Sequence, residues 1–314
     1  MMAFRRTWMP PARAAAVAAA LVLCAACERP AAEDEAPRAD GGSAGEGAQT
    51  CRVVRQGVSM PEEVNETSGA ALDPRLPEVF WTHGDSGADP VLYAVSVDGQ
   101  LAGRVLVSGA RNRDWEDMAI GPCPGGDCVY VGDLGNNRPG SRNEVVLYRA
   151  PLPAPGDAAT RPAEVFRARF PGGGRDTEAM FVTADGGVYL VNKGQSDDIE
   201  LWRWPLPLQP GPVDLVRVRA LAREPEQPGD AVTGAGASRD GRWVAVRTYG
   251  RLALYRTADL LGTGGPAFSM DLAPLGEPQG EGVSMRADGT VLLTSESGEG
   301  ALPGRAAWLQ CPLP

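Results

Sequence analysis

A unit of roughly 50 to 60 residues repeats five times along this sequence, and this repeat constrains the fold more than any other feature. Each unit opens with a short strand of small or apolar residues, and these strands begin at Ser68, Glu116, Glu178, Thr233 and Glu281. A turn follows, and then a β-branched or aromatic run such as VFWTH at 79 or VYLVN at 188. Asp-Gly turns at 185, 240 and 288 are typical of β-hairpins. Units of this length and strand content predict the blades of a β-propeller.

The later strands of each unit indicate how the ring closes. A third strand with a central aromatic residue recurs in all five units, and a fourth strand follows in the first four. The fifth unit has no fourth strand of its own, but CRVVRQGVSM at 51–60 supplies one. We therefore expect an all-β fold, a five-bladed β-propeller with four antiparallel strands per blade, closed by the N-terminal strand pairing in the last blade.

Four cysteines in the repeat region agree with this closure. Cys311 ends the third strand of the fifth unit and Cys51 begins the strand expected beside it, so we predict a Cys51–Cys311 disulfide that clasps the ring. In the chain-entropy model such a clasp stabilises the domain by about 4 kcal/mol. Cys123 and Cys128 flank the PGGD turn of the second unit, which predicts a local disulfide. An even number of cysteines is typical of an exported protein.

The N-terminal segment predicts export as well. Arg5 and Arg6 precede an apolar run from 14 to 26, so residues 1–26 are interpreted as a signal peptide. The run ends in LVLCAAC, which resembles a bacterial lipoprotein signal with Cys27 as the lipidated residue. Cys24 stands where that pattern prefers leucine, so ordinary cleavage nearby is the alternative. We expect a protein of the cell envelope, lipid-anchored or secreted, in the periplasm or at the cell surface.

Residues 27–50 and the net charge limit the partners of the chain. Residues 28–50 contain no aromatic residue and no aliphatic residue beyond alanine, which predicts a flexible acidic tether before a single propeller domain over 51–314. The formal net charge of −10 argues against a nucleic-acid partner and against an anionic membrane surface. Membrane contact is expected through the N-terminal lipid only. We expect a monomer that binds a small ligand, a glycan or a protein.

Two columns of polar residues align at one mouth of the predicted channel. The first strand of a blade lines the channel, and its start lies at the same end as the finish of the antiparallel second strand. The first column is Ser68, Glu116, Glu178, Thr233 and Glu281. The second column is His83, Asp133, Asn192, Arg247 and Ser295. The flanking positions are mostly apolar or glycine, so the polar character is confined to this mouth.

The excess of carboxylates in these columns predicts a cation site. Confined negative charge is costly unless a positive charge lies close to it, and oxygen ligands without cysteine suit Ca²⁺ or Mg²⁺ better than zinc. The predicted metal ligands are Glu116, Asp133, Glu178, Asn192 and Glu281, with Ca²⁺ as the expected cofactor. The alternative is that these carboxylates only accept backbone N–H bonds, or that Arg247 pairs with Glu178 or Glu281.

A catalytic use of the same residues stays open at this level. The candidate catalytic residues are His83, Glu116, Asp133, Glu178 and Arg247. Asp85, Asp89 and Asp114 lie in adjacent loops and are interpreted as solvated turn residues, with a role as ligands as the alternative. The motif GDSG at 84–87 does not indicate a serine hydrolase, because the single histidine directly precedes it and leaves no separate base. Trp81 or Trp115 would argue against catalysis if either closed the mouth.

Several of these segments carry a family resemblance. DWEDMAIGP with VYVGDLGNN, DTEAMFVTADGGVYLVNK, VTGAGASRDGRWVAVRTY and QGEGVSM with LLTSESG resemble a family of uncharacterised secreted bacterial β-propeller lipoproteins, over about 68–300. More distantly, the pattern is similar to phytase-like esterase and SdiA-regulated propellers, in which acidic channel residues bind calcium. The resemblance implies a propeller fold and carries no established activity.

The sequence therefore leaves three classes of function. The favoured one is an exported binding module with a divalent-cation site at the channel mouth. The second is a metal-dependent hydrolase of a phosphoester, lactone or glycoside, in which paired carboxylates or a metal-activated water act on the substrate. The third is a structural assembly factor. No motif fixes a nucleophile, so the sequence does not decide whether the protein is an enzyme.

Overall fold

The computed structural model describes residues 50–64, 66–136, 142–195, 197–297 and 303–313. Within these ranges the protein consists of five β-sheets that form the blades of a propeller, with one α-helix of five residues. The predicted all-β fold with five blades of four antiparallel strands is confirmed. The predicted signal peptide, the lipidated Cys27 and most of the tether lie outside the described residues.

The strands follow the repeat along the chain. The first strand, β1 (Arg52–Ser59), belongs to the last blade. Blade 1 contains β2 (Thr67–Leu72), β3 (Val79–Gly84), β4 (Val91–Ser96) and β5 (Leu101–Leu106). Blade 2 contains β6 (Trp115–Cys123), β7 (Gly126–Asp133), β8 (Glu144–Pro151) and β9 (Glu164–Arg169). Blade 3 contains β10 (Thr177–Val182), β11 (Val188–Asn192) and β12 (Ile199–Arg203), followed in the chain by β13 (Pro212–Asp214) and by its fourth strand β14 (Val216–Ala222).

The last two blades complete the ring. Blade 4 contains β15 (Val232–Ala237), β16 (Trp243–Thr248), β17 (Arg251–Arg256) and β18 (Phe268–Asp271), with helix α1 (Thr257–Leu261) before β18. Blade 5 contains β19 (Gln279–Met285), β20 (Thr290–Glu296), β21 (Arg305–Gln310) and β1. Short 3-10 turns cover Glu62–Val64, Pro228–Asp230 and Ala273–Leu275.

The predicted Asp-Gly hairpins form as expected, because glycine accepts the backbone angles that the turn requires. Gly186, Gly241 and Gly289 all have φ between 73° and 87°. An L-residue with a side chain adopts this left-handed conformation only at a cost, so glycine is needed at the second turn position. Beside one of these turns, the Ser238 hydroxyl donates a hydrogen bond to Asp240 at 2.6 Å.

The hydrophobic core lies between neighbouring blades rather than within them. The largest side chains are fully buried there, including Trp81 and Trp115 between blades 1 and 2 and Trp243 between blades 4 and 5. Each sheet is apolar on both faces and must be covered on both, which a closed ring of blades achieves. Trp81 and Trp115 therefore belong to the core and do not close the channel mouth.

One strand departs from the predicted pattern. The run VDLVRVRAL at 213 was expected to form the fourth strand of blade 3, but β13 leaves that blade and pairs in parallel with β9 of blade 2. The separation of β13 from β14 is explained by Leu215, which lies between the two strands. Its side chain is buried with Phe166 and Trp202 in the core between blades 2 and 3, and its N–H donates to Arg169 O at 2.8 Å.

The ring closes as predicted. Strand β1 pairs antiparallel with β21, with Arg52 opposite Gln310, and the Cys51–Cys311 disulfide joins the two strands. The local Cys123–Cys128 disulfide is also present. Two disulfides are consistent with an exported protein. Among the described residues, no helix has the length and apolar character needed to cross a membrane.

Candidate functional site

The first-column residues owe their placement to a β-bulge that recurs in every blade. Each inner strand slips in register against its neighbour at the same end of the channel, and the slips lie between Thr67/Ala70, Trp115/Asp117, Thr177/Ala179, Val232/Gly234 and Gly280/Val283. The residues skipped by these slips include all five members of the first column. A bulge leaves the extra residue out of the ladder and re-aims its side chain, which is how a strand delivers polar groups to a site.

Three carboxylates from blades 1 and 2 form a compact group. Asp85, Asp114 and Glu116 each offer an oxygen, and these three oxygens all lie within 4.8 Å of one another. Glu116 is the bulged residue of β6, Asp114 lies just before that strand, and Asp85 follows β3. Gly135 adjoins the group, because a Cβ at this position would collide with Glu116 Oε1 and Asp114 Oδ2. Asp85 and Asp114, which sequence reasoning treated as solvated turn residues, therefore contribute to the group.

Glu178 connects this group to the only lysine of the chain. The carboxyl groups of Glu116 and Glu178 lie close enough that, in addition to burial, repulsion from Glu178 raises the pKa of Glu116. Lys193 Nζ donates to Glu178 Oε1 at 2.9 Å, and it also lies 6.0 Å from the centre of the Tyr249 ring. The ammonium group thus pairs directly with one carboxylate and acts on the others only through longer-range attraction.

The carboxyl groups at this mouth outnumber the positive charge near them. Six carboxyl groups form this acidic mouth: Asp85, Asp114, Glu116, Glu178, Glu281 and Glu296. Burial raises the pKa of Glu178 to about 7, of Glu281 to about 8 and of Asp114 to about 6, with repulsion between the carboxylates adding to the effect. Burial followed by repulsion from Glu178 also raises the pKa of Glu116 well above its usual value. The acidic mouth is therefore an environment in which a cation would be favoured.

Glu281 gives a testable pH dependence. Its folded pKa of about 8 exceeds that of an unfolded glutamate, about 4, so the folded state keeps a proton that the unfolded chain releases as pH rises between these values. In chelator, Glu281→Gln should raise the free energy of unfolding at pH 8 by roughly 2 to 4 kcal/mol and leave it unchanged at pH 4. Urea unfolding at both pH values measures this.

The control for Glu281→Gln is Glu164→Gln, because the Glu164 side chain is 59% exposed. This variant should show no comparable gain at pH 8. Glutamine can keep the hydrogen bond that Glu281 Oε1 accepts from Gln279 Nε2 at 2.8 Å, so the substitution tests the charge rather than the packing. An equal effect of Glu281→Gln at both pH values would contradict the prediction.

Two of the predicted metal ligands are engaged elsewhere. Asp133 forms a buried ion pair with Arg142, with Oδ1 and Nη1 2.6 Å apart. Asn192 Oδ1 accepts from Glu200 N at 2.7 Å and Nδ2 donates to Asp198 O at 3.0 Å, so this amide organises its own blade.

The two remaining candidates of the second column make their contacts outside the acidic mouth. The guanidinium of Arg247 is fully buried and contacts Glu277 Oε2 at 2.7 Å, rather than Glu178 or Glu281. His83 is fully buried, with its ring edge-on to Trp115 and its Nδ1 3.1 Å from Gly84 O. Burial lowers the pKa of His83 to about 4, which keeps the ring neutral at pH 7. Neither side chain belongs to the acidic mouth.

Sequence reasoning missed Asp117, which lies at the centre of the ring. Asp117 Oδ1 accepts from Met118 N, and Oδ2 accepts from Met180 N at 2.8 Å and from Ala235 N at 3.1 Å, so one carboxylate joins three inner strands. The equivalent residue of blade 1 is Gly69, where a Cβ would lie 2.7 Å from Asp117 Oδ1. The sequence does carry a signal, because the other four blades have only glycine or alanine at this position.

Comparisons with solved structures agree with the fold. The PQQ-bound aldose sugar dehydrogenase of Streptomyces coelicolor is 14% identical, over 84% of this chain and 98% of that chain, with a TM-score of 0.51. The Xanthomonas campestris gluconolactonase is 14% identical over 78% and 72% of the two chains, with a TM-score of 0.43. Virginiamycin B lyase from Staphylococcus aureus is 9% identical over 81% and 69%, with a TM-score of 0.40.

At these identities the likeness is one of fold alone, and it supports a distant relation to β-propeller proteins. No protein-family model matches the sequence, and no curated protein matches it.

Proposed function

We propose that the acidic mouth binds a divalent cation, Ca²⁺ first, and that the protein is an exported binding module whose ligand completes the coordination of this ion. Asp85, Asp114 and Glu116 are the proposed ligands. The observation that carries the proposal is the convergence of their three oxygens within 4.8 Å beside Gly135, among carboxyl groups that a single lysine cannot neutralise.

The donor set fits a hard cation. Three carboxylates without cysteine or histidine suit Ca²⁺ or Mg²⁺, and Ca²⁺ takes six to eight oxygens in flexible geometry. The three carboxylates supply only part of such a shell, so oxygens of water or of a bound ligand would fill the rest. A small molecule, glycan or protein rich in hydroxyl or carboxylate oxygens is the partner that this arrangement favours.

We also propose that the protein is located in the cell envelope. The predicted signal peptide and lipidated Cys27 would anchor the chain in the envelope, and the tether of 27–50 would separate the propeller from the membrane surface. The ordinary secreted form, cleaved near Cys27 without a lipid, would bind the same cation. Mass spectrometry of the mature N-terminus distinguishes the two forms.

Cation binding should be visible as a gain in stability. Ca²⁺ at a hundredfold excess over Kd should stabilise the full-length protein by about 3 kcal/mol relative to chelator. The double variant Asp114→Asn, Glu116→Gln should lose this gain, because it removes two of the three proposed ligands. Thermal unfolding with and without Ca²⁺, together with elemental analysis of the purified protein, measures both effects.

The matched control removes two carboxylates far from the mouth. The Asp98 and Glu164 side chains are 68% and 59% exposed, so Asp98→Asn, Glu164→Gln should keep the full response to Ca²⁺. No bound metal and no shift in the parent protein would refute the cation site. An equal shift in the double variant would place the ion elsewhere.

A second candidate function, hydrolysis, is favoured by the pair Glu116 and Glu178. Burial raises the pKa of both carboxyl groups, and Lys193 pairs with Glu178, so one group can donate a proton while the other accepts one. Phosphoesters, lactones and glycosides are the substrate classes to screen with the Ca²⁺-loaded protein. Turnover that Glu178→Gln abolishes would favour the hydrolase. Retained Ca²⁺ binding without turnover would favour the binding module.

A further inference from the structure

The opposite mouth of the channel contains a cavity that shares no residue with the proposed cation site. Its volume is about 470 Å³, and residues of all five blades line it. This volume lies within the range typical of small-molecule sites. Every residue that lines the cavity belongs to the described part of the chain.

Asp117 lies next to Met118, one residue beyond the lining of this cavity. Its buried carboxylate accepts N–H bonds from three inner strands, one residue nearer to the acidic mouth than Met118, which lines the cavity. Ala70 and Val283 line the same level in blades 1 and 5. The cavity therefore lies on the side of Asp117 that faces away from the acidic mouth.

The walls combine apolar side chains with the hydroxyls of Thr183 and Ser284, and the rim is charged. The apolar residues include Leu72, Ile120, Val182, Ala237 and Met285, together with the small residues between them. Such walls suit a hydrocarbon or aromatic body, which gains about 25 cal/mol for each Å² of apolar surface that it buries. The pocket thus differs in chemistry from the acidic mouth.

The rim contains two arginines that differ in their partners. Arg239 Nη2 pairs with Asp127 Oδ1 at 2.9 Å, and this ion pair joins blades 4 and 2, which are not neighbours in the ring. Arg286 Nη2 donates to Pro77 O at 2.8 Å, and among the described residues its guanidinium has no carboxylate within ion-pair distance. Asp288 also lines the rim, and against the effect of burial the charge of Arg286 helps to lower its pKa from beyond that distance. Arg286 therefore offers a charged donor to an anion at the pocket entrance.

We propose that this pocket binds a small monocarboxylic acid with an apolar tail, the tail between the inner strands and the carboxylate at Arg286. The apolar walls select the tail, and the arginine without an ion pair selects the anionic head. Arg239 already pairs with Asp127, so the carboxylate of the ligand is assigned to Arg286.

Binding of decanoate to the full-length protein tests the assignment. Isothermal titration calorimetry should detect binding of decanoate. Decanol, which lacks the charge, should bind at least tenfold more weakly, and acetate, which lacks the tail, should not bind. These results should be the same in Ca²⁺ and in chelator, because the pocket and the acidic mouth lie at opposite ends of the channel. This independence separates a failure of the pocket from a failure of the cation site.

Two variants and one control locate the binding site. Arg286→Gln, on the partly exposed rim, should weaken decanoate binding at least tenfold while leaving decanol binding unchanged. Ala237→Phe, which fills the pocket, should abolish binding of both. Arg251→Gln changes an exposed arginine at the start of β17 and should leave binding unchanged.

The outcomes decide the proposal. No decanoate binding at millimolar concentration, or decanoate and decanol binding equally well, would overturn it. Unchanged decanoate affinity in Arg286→Gln would refute the role of the arginine even if Ala237→Phe failed to fold, because a substitution on the rim does not disturb the core. Circular dichroism of each variant confirms that the fold is retained.

Discussion

Asp117→Ala should destabilise the propeller by about 3 to 5 kcal/mol, the largest effect that we expect from a single substitution in this chain. The change leaves the buried N–H groups of Met118, Met180 and Ala235 without their acceptor. Each buried donor that loses its partner costs about 1 to 3 kcal/mol. The loss is partly offset because burial holds the pKa of Asp117 well above its usual value, so the native carboxyl group itself carries a burial cost.

A second substitution separates the hydrogen bonds from the charge. In Asp117→Asn the amide oxygen can accept from Met180 and Ala235, but the amide nitrogen then faces the N–H of Met118. We expect this variant to lose about 1 to 2 kcal/mol, less than the alanine variant. Asp98→Ala, on a side chain that is 68% exposed, is the control and should change stability by less than about 1 kcal/mol. Urea unfolding measures all three, and an Asp117→Ala variant as stable as the parent would contradict the bracing role.

Removal of the clasp disulfide is the other large expected effect. Cys51 and Cys311 are separated by 260 residues, so the bond closes almost the whole domain into one loop. For a loop of this length the chain-entropy model gives about 5 to 6 kcal/mol, more than the value expected from the sequence, so the double variant Cys51→Ser, Cys311→Ser should lose about that much stability. Without the bond, β1 keeps its pairing with β21 but loses the covalent restraint that limits its separation from that strand.

The local disulfide is the matched control for the clasp. The Cys123–Cys128 bond spans five residues, so Cys123→Ser, Cys128→Ser should destabilise the domain distinctly less. Urea unfolding of both double variants, under conditions that leave the remaining disulfide intact, compares the two losses. Equal losses would contradict the view that loop length determines the stabilisation.

The fold could be predicted from the sequence because the strand pattern repeats at a regular interval. Five hairpins, a recurrent aromatic third strand and a spare strand at 51–60 admit few closed arrangements, and the position of Cys311 opposite Cys51 fixes the closure. The separation of β13 could not be predicted, because it depends on where the Leu215 side chain finds a buried position between two blades. Such a tertiary contact has no periodic signature in the sequence.

The candidate site was predictable in part. The repeat brings Glu116, Glu178 and Glu281 to one end of the channel, since the first column follows directly from the strand alignment. The partners of Asp133 and Arg247 were not predictable, because Arg142 and Glu277 reach them from loops whose path no local pattern determines. Asp85 and Asp114 were assigned to solvated turns for the same reason, although both loops fold back to Glu116.

The five recurrent β-bulges separate the chemistry of this ring from its stability. A bulged residue is not paired in the ladder, so its side chain can be exchanged without shifting the register of the strand on either side. Serine, threonine and glutamate already occupy this position in different blades on the same backbone. New ligand specificities can therefore arise by single substitutions at the five bulge positions, while the core between the blades stays unchanged.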